Sequence, residues 1–133
     1  QAGAAHLEKS KGGMGLLLGG VPGVAPGHIV IIGAGVVGTN ALQMAVGTGA
    51  RVTVLDKNID RLRQLDLVFG NRISTVSSNA RSIEESELTA HLVIGGGLGR
   101  GEGARPVPSS WTIARSCFRE QAPTCSTTPA TRP

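Results

Sequence analysis

His28-Ile-Val-Ile-Ile-Gly33-Ala-Gly35-Val-Val-Gly38-Thr-Asn40, followed by Arg51-Val-Thr-Val-Leu-Asp56, is the stretch whose reading decides the fold. The run His28 to Ile32 reads as a short strand, and Gly33-Ala34-Gly35 passes the chain directly into a helical pattern from Val36 to Thr48. Val37, Ala41, Met44 and Ala45 recur at three-to-four spacing, the face expected to pack on a sheet, and Gly47 and Gly49 close the helix. Arg51 to Leu55 is a second aliphatic strand, and its tip is acidic: Asp56 lies 18 positions past Gly38.

Outward from this unit the alternation continues. Asp56-Lys57-Asn58 turns the chain into a helix from Ile59 to about Phe69, with Asn58 as N-cap and Gly70 at the C-cap position. Arg72 to Val76 alternates like a third strand. Ser82-Ile83-Glu84-Glu85 has the Ser-x-x-Glu form of a capping box, so a short helix is expected to run to about Thr89. His91 to Ile94 gives a fourth strand that ends in Gly95-Gly96-Gly97. Strands alternating with helices in this order predict an α/β fold, a Rossmann-type parallel sheet of about four strands with flanking helices and right-handed crossings.

Three regions follow. Residues 1–27 are a lead-in expected to be an entry loop, most clearly over Leu16 to Pro26 with its five glycines and prolines; residues 28–98 are the Rossmann half-domain; residues 99–133 are an irregular tail. All 20 glycines occur at or before Gly103, whereas five of the 7 prolines come after it. The tail, rich in Ser, Thr, Pro and Arg, reads as disordered. Glycines and periodicity both stop near Gly96 to Gly103, which suggests a change of reading frame there, a hypothesis that sequencing the encoding DNA tests.

Composition narrows the classes. A length of 133 residues suits one domain and is short for a two-domain body, so a fragment is expected. The net charge of +4 is only +1 up to Leu98, and Trp111, Phe69 and Phe118 are the only aromatics; a basic face with stacking rings for nucleic acid is not expected. The apolar runs Met14 to Leu18 and Ile29 to Ile32 are too short to span a bilayer, so a soluble cytoplasmic chain is the expectation. Cys117 and Cys125 match neither a zinc site nor a redox pair. His6, His28 and His91 read as surface residues. No Ser/His/Asp set, carboxylate pair or metal spacing can be assembled, so no catalytic or metal-ligating residue is assigned.

Gly-x-Gly-x-x-Gly alone is a weak signal, but here it follows a strand, opens a helix and precedes an acidic strand tip. Gly33 permits the tight turn, Gly35 lacks the Cβ that would block a pyrophosphate, and Gly38 lets helix and strand approach. Phosphates would sit on the free N–H groups at the helix start. Asp56 would accept the ribose hydroxyls and repel a 2′-phosphate, favouring NAD over NADP; Lys57 beside it works the other way. Arg61, one helical turn on, reads either as an adenine-side contact or as a solvated helix arginine, and Ser78 and Asn79 either as adenine-edge residues or as turn formers.

Gln1-Ala-Gly-Ala-Ala-His-Leu-Glu-Lys9, Leu18-Gly-Gly-Val-Pro-Gly-Val24, Val36-Val-Gly-Thr-Asn40 and Val52-Thr-Val-Leu-Asp-Lys-Asn-Ile-Asp-Arg-Leu-Arg63 together resemble the alanine dehydrogenase family over roughly residues 1–98. The resemblance implies an NAD-dependent enzyme, usually a homo-oligomer, that deaminates L-alanine to pyruvate and ammonia. It also implies pyrophosphate contacts along Gly33, Ala34, Gly35, Val36, Val37 and Gly38, a ribose contact at Asp56 with Lys57 beside it, adenosine-side contacts at Arg61 and Ser78, and a loop over the cofactor at Gly97 and Leu98. Met14 stands where the family usually has a basic residue and His91 where it often has aspartate. The family's substrate-binding arginine and catalytic lysine and histidine would lie before Gln1, and its catalytic aspartate in an Ile-Asp-Gln-Gly-Gly stretch that the tail lacks, so the chain is expected to be inactive alone. Two alternatives share the fingerprint. A transhydrogenase-type dinucleotide domain is disfavoured by Val21-Pro22-Gly23-Val24, and a regulatory nucleotide-binding module of the potassium-transport type by Val76-Ser77-Ser78-Asn79, where such modules carry Gly-Asp.

Overall fold

A computed structural model describes residues 1–96. The expectations for Gly97, Leu98 and the tail therefore lie outside the described residues. The aliphatic runs form four strands, β1 (His28–Ile32), β2 (Arg51–Asp56), β3 (Ile73–Ser77) and β4 (Leu92–Gly95), in one parallel sheet of order β3-β2-β1-β4. Helices α2 (Val36–Gly47), α3 (Ile59–Phe69) and α4 (Ala80–Thr89) connect them. The expected α/β Rossmann-type sheet is the fold observed.

Each strand is buried because helices cover it. α2 packs on β1 and β2, and α3 on β2 and β3, where Leu42, Ala45, Val46, Leu62 and Leu65 meet Ile29, Ile31, Val52 and Val54 in one apolar core. α4 packs against β1 without adding a residue to that cluster. Side chains alternate across a strand, so Val30 and Leu55, both wholly buried, face the other side of the sheet.

Four sequence expectations are corrected. The buried face of α2 is Gly38, Leu42, Ala45 and Val46, while Val37 and Met44 are exposed, because apolar residues cover so wide an arc beside Thr39, Asn40 and Gln43 that periodicity does not choose a face. α4 begins three residues early: Asn79 is its N-cap and its side chain accepts from the Ser82 N–H at 2.8 Å, while the Ser82 hydroxyl accepts the Asn79 N–H at 2.9 Å. Ser82 thus serves as the N3 member of the box, the place reserved for Glu in the expected version. The lead-in is not all loop, since α1 (Ala2–His6) and a 3₁₀ turn at Lys9–Lys11 precede it and Leu7 is buried. His28 is a buried residue rather than a surface one.

The two ends of β1 sit where the topology turns. From β1 the chain moves to β2 on one side and returns from β3 to β4 on the other, so a crevice opens at the carboxyl ends of β1 and β4. Gly33 donates to the Leu55 carbonyl at 2.7 Å and Gly96 to the Ile32 carbonyl at 2.7 Å, which continues the ladders up to the rim of that crevice.

Candidate functional site

The turn after β1 is shaped by three glycines with separate duties. Gly33 has φ +95°, the left-handed region that side chains with a Cβ rarely occupy. A Cβ on Gly38 would overlap the Gly33 carbonyl oxygen, so the first turn of α2 lies directly on the bend. At Gly35 the situation reverses: an added Cβ would meet only the Gly96 carbonyl oxygen, at 3.7 Å. Nothing among the described residues needs that position to be glycine.

Backbone donors converge on the same place. The first intrahelical bond of α2 runs from the Thr39 N–H to the Gly35 carbonyl at 2.9 Å. The N–H groups of Gly35, Val36, Val37 and Gly38 donate to no described residue. They are the unsatisfied donors every helix start presents, and the helix dipole makes this end positive.

Asp56 stands against the bend. Its Oδ2 accepts the Ala34 N–H at 2.6 Å and its Oδ1 accepts the Asn58 N–H at 2.7 Å, so two backbone donors fix the carboxylate plane. Each oxygen keeps a further lone pair, and the residue is only half-buried. Asn58 caps α3, its Oδ1 accepting from the N–H groups of Asp60 at 3.0 Å and Arg61 at 3.2 Å. Arg61 reaches back across the helices: its Nε donates to the Ala34 carbonyl at 3.0 Å and one Nη to the Thr39 hydroxyl at 2.9 Å. The Ser78 N–H donates to the Asp56 carbonyl at 2.9 Å, which holds the start of the β3–α4 loop beside the carboxylate.

The structure therefore brings Gly33, Ala34, Gly35, Val36, Val37, Gly38, Asp56, Arg61 and Ser78 to one rim. Lys57 is exposed and makes no hydrogen bond or ion pair with a described residue. Gly97 and Leu98 lie outside the described residues. Two participants escaped the sequence reading. Thr39 directs its hydroxyl at the Ala34 and Gly35 carbonyls, 3.1 and 2.8 Å away. At Gly96 an added Cβ would lie 2.7 Å from both the Gly33 oxygen and the Gly38 Cα. The triple glycine after β4 was the available signal for Gly96; Thr39 carried none.

The profile of the family described as alanine dehydrogenase/PNT, C-terminal domain, matches residues 1–107. The chain belongs to this family. Among curated relatives it is 58% identical over 94 residues to an alanine dehydrogenase of Bacillus subtilis, covering 71% of this chain and 25% of that protein. It is 54% identical over 95 residues to one of Methanococcus maripaludis, covering 71% of this chain and 26% of that protein. With one of Mycolicibacterium smegmatis the identity is 44% over 139 residues, covering 93% of this chain and 38% of that protein. A solved L-alanine dehydrogenase superimposes with a TM-score of 0.75 at 41% identity, over 99% of this chain and 41% of its own. The chain thus spans between a quarter and about two-fifths of the length of these relatives. Among the described residues no helix is long and apolar enough to cross a membrane, and no cluster of His, Cys, Asp and Glu could hold a metal ion.

Proposed function

We propose that residues 28–98 form the NAD-binding portion of an alanine dehydrogenase, in which L-alanine, NAD and water give pyruvate, ammonia and NADH. The observation that carries this reading is the pairing at one bend of four N–H groups that have no acceptor among the described residues and a carboxylate held by two backbone donors. The room that the described residues leave where a Gly35 side chain would point supports it, because a pyrophosphate approaching those amides needs that space. Gly33, Ala34, Gly35, Val36, Val37 and Gly38 would cradle the diphosphate. Asp56 would accept the ribose hydroxyls, with Ser78 alongside and Gly97 and Leu98 over the cofactor.

When bound, NAD accepts the hydride; the described residues bind and orient it. Asp56 Oδ2 and Oδ1 are already pinned, so the carboxylate meets a sugar without reorganising, and it would repel a 2′-phosphate. The acid and base of the reaction belong to the rest of the enzyme. By the same family resemblance, we place the complete protein in the cytoplasm as a homo-oligomer.

The test is a fluorescence titration of the 133-residue chain with NADH and NADPH, repeated with Asp56→Asn. NADH is expected to bind about tenfold or more tighter than NADPH, a difference of about 1.4 kcal/mol, and the preference should vanish in the variant. Failure to bind either cofactor overturns the reading, and equal affinity overturns the NAD preference. Addition of L-alanine and NAD should give no turnover.

A further inference from the structure

The bonds around the bend close into a ring. Ala34 N–H donates to Asp56, Asn58 N–H donates to the same carboxylate, the Asn58 side chain accepts the Arg61 N–H, and the Arg61 Nε returns to the Ala34 carbonyl. Both polar backbone groups of Ala34 are thereby clamped from the β2–α3 side, one by a carboxylate and one by a guanidinium.

A peptide unit is planar and trans, and no described peptide bond is cis, so the Gly35 N–H points opposite to the Ala34 carbonyl. Whatever holds that carbonyl on the α3 side turns the Gly35 N–H away from it. Arg61 Nε at 3.0 Å holds it, helped by the Thr39 hydroxyl at 3.1 Å, whose single hydrogen is shared with the nearer Gly35 carbonyl at 2.8 Å. A remaining Arg61 nitrogen donates to Gln64 Oε1 at 3.0 Å, so the fork is committed along three directions. The surface arginines behave differently: Arg63 and Arg81 pair with Asp60 and Glu85 on their own helices, with largely exposed side chains.

We infer that Arg61 is a positioning residue for the diphosphate turn: through the Ala34 carbonyl and Thr39 it fixes the peptide that aims the Gly35 N–H into the crevice, whatever contact it also makes with the adenosine. A planar guanidinium bridges a carbonyl and a hydroxyl at fixed angles, which an ammonium cannot do. The inference rests on the proposed dinucleotide site for its ligand but not for its geometry.

The experiment uses the full chain with Arg61→Met, Arg61→Lys and Thr39→Val. In ¹H–¹⁵N spectra without ligand, Arg61→Met should move the Gly35 and Val36 amides while those of α4 stay in place, and Arg61→Lys should not restore them. In competition against NADH, Arg61→Met should weaken ADP-ribose about tenfold more than it weakens adenosine, since the lost orientation serves the diphosphate. Thr39→Val should weaken ADP-ribose in the same direction, by less. An equal loss for adenosine would overturn the inference in favour of a direct contact. Unmoved Gly35 and Val36 amides in the folded, ligand-free variant would overturn it outright. Should the wild-type chain bind no ADP-ribose, the proposed function fails, and the ligand-free amide shifts still decide the role of Arg61. If Arg61→Met does not fold, Thr39→Val carries the same two measurements.

Discussion

The two ends of the sheet handle their polar groups in opposite ways. At the amino ends of the strands, His28 Nε2 meets the Thr53 hydroxyl at 2.9 Å, its Nδ1 meets the Thr89 carbonyl at 3.1 Å, and its backbone N–H donates to His91 Nδ1 at 2.9 Å. His91 in turn donates its N–H to the His28 carbonyl at 2.9 Å, so β1 and the start of β4 are sewn together. No buried side-chain nitrogen or oxygen among the described residues lacks a partner. At the carboxyl ends, four consecutive N–H groups of the bend have none among the described residues. A closed network stabilises a fold, whereas an open row of donors leaves free energy to be gained from a ligand. The same strands thus carry a structural end and a receptive end.

The strongest way to break this contrast is Gly38→Ala. The new methyl would overlap the Gly33 carbonyl oxygen, and backbone cannot swing aside as a side chain can. The expected destabilisation is about 3 kcal/mol, read from the urea midpoint of the chain. A midpoint equal to wild type would show that the bend is not rigid. In that case the receptive end would have to be assembled by the ligand.

The closed end is tested by acid. Burial holds the His28 imidazole below its ordinary value of 6.5, assisted by the positive fields of Arg51 and His91, while the bond to the Thr89 carbonyl works in the opposite direction. The folded state therefore keeps His28 neutral where the unfolded chain already takes up a proton. Its contribution to stability is full above the unfolded pKa near 6.5 and is lost as pH falls through the lower folded value. Stability should decline below about pH 6.5 with a slope of at most about 1.4 kcal/mol per pH unit from this one group. His28→Gln, which keeps polar atoms but does not titrate, should flatten that part of the curve. An unchanged slope in the variant would assign the acid sensitivity to other groups.

How much of this was legible in the sequence differs between the ends for a physical reason. The receptive end is local: glycines within six positions and one acidic strand tip, each needed for a stereochemical reason that residue type reveals. β1 and α3 were readable to the residue, the first from its aliphatic run and the second from Asn58 and Gly70 at its two ends. The structural end is non-local. His28 finds Thr53 across the sheet and Thr89 61 positions away, so no pattern near His28 marks it as buried. Arg61 shows the same limit within the site, because its reach to Ala34 spans 27 positions and depends on how α3 lies against α2. The face of α2 was illegible for another reason, since Val36, Val37 and Met44 are as apolar as the buried Leu42 and Val46.

The smallest effect on stability is the one that sharpens the comparison most. Gly35→Ala places its methyl where, among the described residues, only the Gly96 oxygen stands, at 3.7 Å, and Gly35 already has an ordinary φ of -68°. The fold should notice no more than the poorer N-cap, about 0.5 kcal/mol. NADH binding should nevertheless fall by about tenfold or more, because the methyl occupies the approach of the diphosphate to the bare amides. Two glycines three positions apart then separate cleanly: one is required by the protein, the other by what the protein holds. If Gly35→Ala binds NADH as well as wild type in the fluorescence titration, the space at the bend is incidental, and the diphosphate lies elsewhere.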